Sequence, residues 1–146
     1  MNDIKLVIDD LVLLEYEKYY FELYKRRKKK PINNPWHPSV NQWMIMKRSM
    51  MNALKQAWKD FIVWFIKNQG YENVKINKCE MIFITYFKTK NRHDTDNYVP
   101  KFILDGLVEG GFLVDDDSEH LKSLTLRCGY DRNHPRTEII TNIITR

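Results

Sequence analysis

Residues 74–87, VKINKCEMIFITYF, and residues 100–111, PKFILDGLVEGG, with the acidic stretch NRHDTDNYV at 91–99 between them, decide how this chain folds. In the first, Cys79, Met81, Phe83, Thr85 and Phe87 alternate with Ile82, Ile84 and Tyr86, the period of a strand with both faces covered. In the second, Pro100 disfavours helical geometry at Val99 but suits a first turn, so a helix is expected from about Pro100 to Gly110-Gly111. Upstream, Ser39 or Asn41 can cap one long helix, because Met50, Leu54, Ala57, Trp58, Phe61 and Phe65 recur at helical spacing and Gly70 supplies a stop. Between Ala57 and Ile66 only Lys59 and Asp60 are polar, so one face is expected on a sheet and another on a second subunit. At the N-terminus, residues 4–14 read as a strand entering a short helix through Tyr16, Tyr20 and Leu23. Downstream, Leu124, Leu126, Cys128 and Tyr130 alternate, residues 139–144 form another strand, and Asp131 to Arg136 reads as a hairpin loop.

A chain of 146 residues, 43% hydrophobic and 29% charged, suits one globular domain and excludes fibrous or mostly disordered classes. The longest apolar run, Phe61 to Ile66, is far short of a membrane span. No secretory signal is visible, and the two cysteines, Cys79 and Cys128, fit reduced thiols in the cytoplasm and exclude a cysteine-rich zinc site. The net charge of +5 favours polyanionic partners. Its distribution says more: Lys25, Arg26, Arg27, Lys28, Lys29 and Lys30 are consecutive cations, while Asp115, Asp116 and Asp117 make a dense acidic spot.

The chemistry is expected in Asp94-x-Asp96-Asn97 together with that spot. Residues two apart in extended backbone face one side, so Asp94 and Asp96 can present carboxylates about 7 Å apart at the backbone. The helix ending at Glu109 advances about 15 Å. If Gly110-Gly111 reverses the chain, the extended steps to Asp116 recover about 16 Å, returning it to the neighbourhood of Asp96. Like charges so gathered oppose folding unless a cation joins them. All-oxygen ligands suit Mg²⁺ or Mn²⁺ rather than zinc, and a calcium loop would need glycine where Val99 stands. Such an ion activates water for phosphodiester hydrolysis, and Lys101 can neutralise the developing charge. Taken singly, Asp115-Asp116-Asp117 reads as a solvated turn and Asp94-x-Asp96-Asn97 as a helix cap.

Asp94-Thr95-Asp96-Asn97, Lys101, Leu104-Asp105-Gly106-Leu107, Gly111-Phe112 and Asp115-Asp116 together resemble the signature of RusA-type Holliday-junction resolvases, small endonucleases of phages and prophages. His37-Pro38-Ser39-Val40-Asn41 is similar to the segment that precedes the family's first long helix. The resemblance covers about the last three-quarters of the chain and leaves the basic N-terminal extension, about residues 1–35, outside it. It implies an α/β (α+β) fold with a small mixed sheet and two main helices, a homodimer, and Mg²⁺-dependent nicking of four-way DNA junctions in a bacterial or phage-infected cell. Carried over by position, the essential aspartates fall on Asp94, Asp96 and Asp116, and the lysine on Lys101, with Asp115 as a further candidate ligand. Three residues separate Asn97 from Lys101 where the family usually has two.

Lys88, Lys90 and Arg92 lead into the proposed site and are the first candidates for DNA contact; Lys25, Arg26 and Arg27 are candidates for phosphate contact or an exposed linker. His93 reads as a partner of Asp94 or a solvent-facing turn residue. His37, His120 and His134 show no ligand spacing, and Asp105 reads as an ion-pair partner of Lys101. Trp58 and Trp64 read as core or dimer contacts, Trp36 and Trp43 as candidates to stack on bases. The functional expectation is an endonuclease for four-way junctions. The alternatives are a nuclease for other branched DNA and a non-catalytic DNA-binding protein on the same fold.

Overall fold

A computed structural model describes residues 3–144. The chain is mixed α+β, with elements in the order β1 (Asp3–Asp9), α1 (Asp10–Leu23), α2 (Val40–Met44), α3 (Arg48–Gln69), β2 (Cys79–Phe87), a 3-10 turn (Thr95–Tyr98), α4 (Lys101–Glu109), β3 (Leu121–Tyr130) and β4 (Arg136–Ile143). The four strands form one mixed sheet in the order β1-β4-β2-β3. β2 and β3 are parallel, and β4 runs antiparallel to both β1 and β2. The segment Asp131 to Arg136 is therefore not a hairpin loop, because β2 lies between the strands it joins. Local turn residues signal the reversal, but the partner of β4 is set by register: Phe83 and Leu6 both stand opposite Ile139.

The expected period appears in β2, where Cys79, Met81, Phe83, Thr85 and Phe87 are buried. Of these, Cys79, Met81 and Phe83 join Leu6, Ile8 and Ile139 and, from the helices, Phe61, Ile62, Phe65, Phe102, Ile103 and Leu107 in one core. The opposite side is not fully covered: Ile82, Ile84 and Tyr86 are only half-buried. Sheet neighbours shield them in part, with the Arg136 guanidinium 3.9 Å from the Tyr86 ring.

The expected single long helix is two. Ser39 does cap, its hydroxyl accepting from the Gln42 N–H at 3.2 Å, but α2 ends at Met44 and Lys47 is extended before α3 begins. Gly70 closes α3 at φ 81°, as its position predicts. The Trp64 side of α3 carries α1: the Tyr16 ring lies 5.0 Å from Phe61 and 5.1 Å from Trp64. With 14 residues α1 is longer than the short helix expected. Asp9 caps it, accepting from the Val12 N–H at 3.0 Å.

The segment from Asp3 to Pro35 is thus tied into the domain: β1 pairs with β4 from Asp3 to Asp9, and Ile32 is buried. Helices α3 and α4 run in the same direction, since Lys55 pairs with Asp105 and Lys59 with Glu109. Gly106 lets them meet: a Cβ there would stand 2.6 Å from the Ile62 Cβ. Both cysteines are free, and burial pushes the Cys79 thiol up to about 11. Among the described residues no helix is long and apolar enough to cross a membrane.

Candidate functional site

Helix α4 links the two acidic motifs, and its start is fixed from a distance. Pro100 precedes it as expected, its side chain offering no cap. Instead the buried His37 ring accepts the Phe102 N–H on Nε2 at 2.9 Å, while Nδ1 lies 2.7 Å from the Pro38 carbonyl and donates to it. A second tie ties the same segments: Asn97 Oδ1 accepts the Asn41 N–H at 2.9 Å. The polar residue of each motif is thus a clasp holding residues 37–41 against the turn before α4.

At the other end, Gly111 adopts φ 81° and turns the chain back. Its carbonyl accepts from Lys75 and that of Phe112 from Ile76, and Leu113 bridges in parallel to Ile76. From there the acidic spot runs back along α4 to the level of Lys101 and Asp105, whereas neither Asp94 nor Asp96 lines the cavity that Asp116 enters. Asp116 lines a cavity of about 490 Å³ with Lys55, Lys59, Lys101, Asp105, Glu109 and Asp115. Burial raises the Asp116 carboxyl above its ordinary range; Lys101 opposes this, while the charge of Asp105 and a hydrogen bond with Asp115 add to it. The Asp116 N–H donates to Asp115 Oδ1 at 2.7 Å.

Asp105 holds the middle of this cavity. Lys101 Nζ is 3.5 Å from its Oδ1, the ion pair expected from their spacing, and Lys55 Nζ is 3.8 Å from its Oδ2. That second oxygen is buried and accepts no hydrogen bond. Lys55 and Lys59 lie outside the acidic motifs, yet four-residue spacing places both on the face of α3 opposite Asp105 and Glu109. That shared spacing was the available signal. The donors of Asp105, Asp115 and Asp116 are all carboxylate oxygens, the donor type that hard cations such as Mg²⁺ take. Three ammonium groups stand among the four carboxylates, so the need for a cation is smaller than acidic residues alone imply.

Asp94 and Asp96 are exposed. The Arg92 Nε donates to Asp94 Oδ1 at 3.2 Å, and Asp96 sits in the 3-10 turn. Among the described residues, the three-member group whose ligand atoms lie within 4.8 Å of one another is Asp115, Asp117 and His120, not Asp94, Asp96 and Asp116. In that group Asp117 Oδ1 is 2.6 Å from His120 Nδ1 and also accepts the backbone N–H groups of Glu119 and His120. It closes the turn into β3. His93 is half-buried and its hydrogen bond goes to Tyr98 rather than Asp94: it stacks on Phe87 at 3.6 Å, with Nδ1 3.2 Å from the Tyr98 hydroxyl. Lys88, Lys90 and Arg92 are exposed on the loop after β2, Lys90 lying 5.1 Å from the Tyr130 ring. Lys25, Arg26 and Arg27 are exposed beyond α1. Trp36 packs on Phe87 and Trp43 on Phe102.

No family model matches the chain, and no curated protein matches it.

Proposed function

We propose that this protein is an Mg²⁺-dependent, structure-selective endodeoxyribonuclease of the RusA type, acting on four-way DNA junctions as a homodimer. The observation that carries the reading is the position of Lys101. It follows Asn97 of the first acidic motif by four residues, and it lines one cavity with Asp116 of the second. A cation between phosphate and carboxylates is what phosphodiester hydrolysis requires. Bound Mg²⁺ would supply an activated water and neutralise the leaving oxygen, with Asp116, Asp105 and Asp115 as nearby carboxylates and Asp94 and Asp96 as the exposed pair completing the set. Arg92 holds Asp94 only through an exposed contact, so a DNA phosphate that draws Arg92 away frees this carboxylate.

The near balance of lysines and carboxylates favours a second reading, a DNA-binding module that does not cleave. Purified protein incubated with a synthetic four-way junction, a linear duplex and Mg²⁺ separates the two. Paired nicks confined to the junction, abolished by EDTA and reduced at least 100-fold in Asp116→Asn and Asp96→Asn, are expected. A junction shifted in gels but never cut, in Mg²⁺ or Mn²⁺, would leave the non-catalytic module.

A further inference from the structure

The N-terminal part of the chain, outside the RusA resemblance, builds a second cavity. It has a volume of about 760 Å³ and lies between α1 and α3. Five rings line it, Tyr16, Tyr19, Tyr20 and Tyr24 from α1 and its end and Trp64 from α3, together with the polar Asp60, Lys67 and Asn68. The spacing of Tyr16, Tyr20 and Tyr24 puts their rings on consecutive turns, at 6.0 Å and 5.0 Å centroid separations. Tyr16 is buried and acts as the floor, whereas Tyr19 and Tyr24 remain 46% and 38% exposed. A contiguous cluster of partly exposed rings is a candidate interaction surface.

Two further features narrow the occupant. Lys25 to Lys30 follow directly from the Tyr24 wall, and all six are exposed. Arg27 joins the two regions: its guanidinium lies 4.0 Å from the Tyr24 ring and donates to the Tyr20 hydroxyl at 2.8 Å. A ladder of rings beside a cationic track matches a strand whose phosphates run along the cations while its unstacked bases lie on the rings. Glu109 lines both this cleft and the carboxylate cavity. An apolar peptide would use the rings and leave the cations unexplained; a duplex would use the cations and leave the rings idle.

We infer that the cleft between α1 and α3 binds unpaired nucleobases of single-stranded DNA, with the Lys25 to Lys30 run holding the backbone. In the nuclease reading it would grip an unpaired strand beside the cleavage site, but binding does not depend on cleavage. The test uses full-length Asp116→Asn protein, so that failure of the nuclease reading and failure of this one are distinguishable. Fluorescence anisotropy would compare a labelled dT12 oligonucleotide with an abasic 12-mer of equal charge. At least tenfold tighter binding of dT12 is expected, since each stacked base contributes about tenfold.

Added Tyr19→Ala with Tyr24→Ala should remove that preference while leaving abasic binding unchanged. Tyr19→Phe with Tyr24→Phe should keep it, and thermal melts would confirm that each variant folds. Lys28→Gln with Lys29→Gln should weaken both oligonucleotides alike and flatten the salt dependence. Equal affinity for the two oligonucleotides, or a preference that survives loss of both rings, would overturn the inference. So would sedimentation showing that the alanine variants change the oligomeric state, which would make the cleft a contact between copies.

Discussion

His37 is packed between Trp58 and Phe102, with ring centroids 5.7 Å and 4.9 Å away. Its two nitrogens have opposite roles, Nδ1 donating to a carbonyl and Nε2 accepting a backbone N–H, so the neutral ring alone satisfies both. Burial pushes its pKa down to about 4, against the Pro38 carbonyl and the charge of Asp105, which favour the proton. In the unfolded chain the same ring takes a proton near pH 6.5. Between these values the unfolded state binds more protons, so stability is fully present above pH 6.5 and declines as pH falls to about 4. The loss from this residue amounts to about 3 kcal/mol. Urea melts at pH 7, 5.5 and 4 should show it, and His37→Gln, which keeps an acceptor for Phe102, should remove this part of the pH dependence. An unchanged pH profile in the variant would show that His37 is not the group responsible. Nothing near His37 in the sequence announces this role, because its partner is 65 residues away. The acidic motifs were legible since their spacing is local. How Asp105 would divide its oxygens between Lys55 and Lys101 was not, since that depends on the packing of two helices.

At the scale of elements, three glycines stand at turns or close approaches of different severity. At Gly111 a Cβ would meet the Glu72 carbonyl oxygen at 2.0 Å, and φ is +81°. At Gly106 it would meet Ile62 at 2.6 Å, side chain against side chain, where helices α3 and α4 can part slightly. At Gly70 nothing lies within 4 Å, and only the left-handed backbone opposes substitution. Thermal or urea denaturation should therefore rank alanine variants in that order. Gly70→Ala should cost about 1 kcal/mol and Gly106→Ala about 1–3, with Gly111→Ala the most damaging. A Gly111→Ala protein as stable as Gly70→Ala would mean that the chain does not reverse at 111 as described. Gly70 and Gly110-Gly111 were readable as stops because glycine ends helices wherever they pack. The break between α2 and α3 was not readable: Ile45-Met46-Lys47 contains no breaker, and the long-range ties of His37 and Asn41 that anchor the start of α2 leave no local signal. The expected hairpin failed similarly, since pairing of β4 with β1 and β2 involves residues far apart in sequence.

For the whole molecule, the question is whether residues 1–35 are an appendage or part of the fold. As an appendage, their removal would leave a smaller folded domain. The packing argues otherwise. Leu6, Ile8, Leu13, Tyr16 and Ile32 are all at most 5% exposed and belong to the single core. At about 2 kcal/mol for each buried side chain, their loss removes about 10 kcal/mol, comparable to the whole stability of a domain. The deletion would also open β4 as an edge and expose Ile139. Two polar ties across this region would go as well: His134 Nε2 to Asp9 Oδ2 at 2.9 Å, and the Thr137 hydroxyl donating to the Pro35 carbonyl at 2.6 Å. A chain beginning at residue 36 should therefore show no cooperative melt and should bind hydrophobic dyes or aggregate. Replacing Lys25, Arg26, Lys28 and Lys29 by glutamine should by contrast leave the melt nearly unchanged, because exposed charges contribute little to stability. A truncated protein that melts cooperatively near the parent temperature would restore the appendage reading. The contrast between the two variants separates the segment's structural half, β1 and α1, from its basic half, which is free to serve binding.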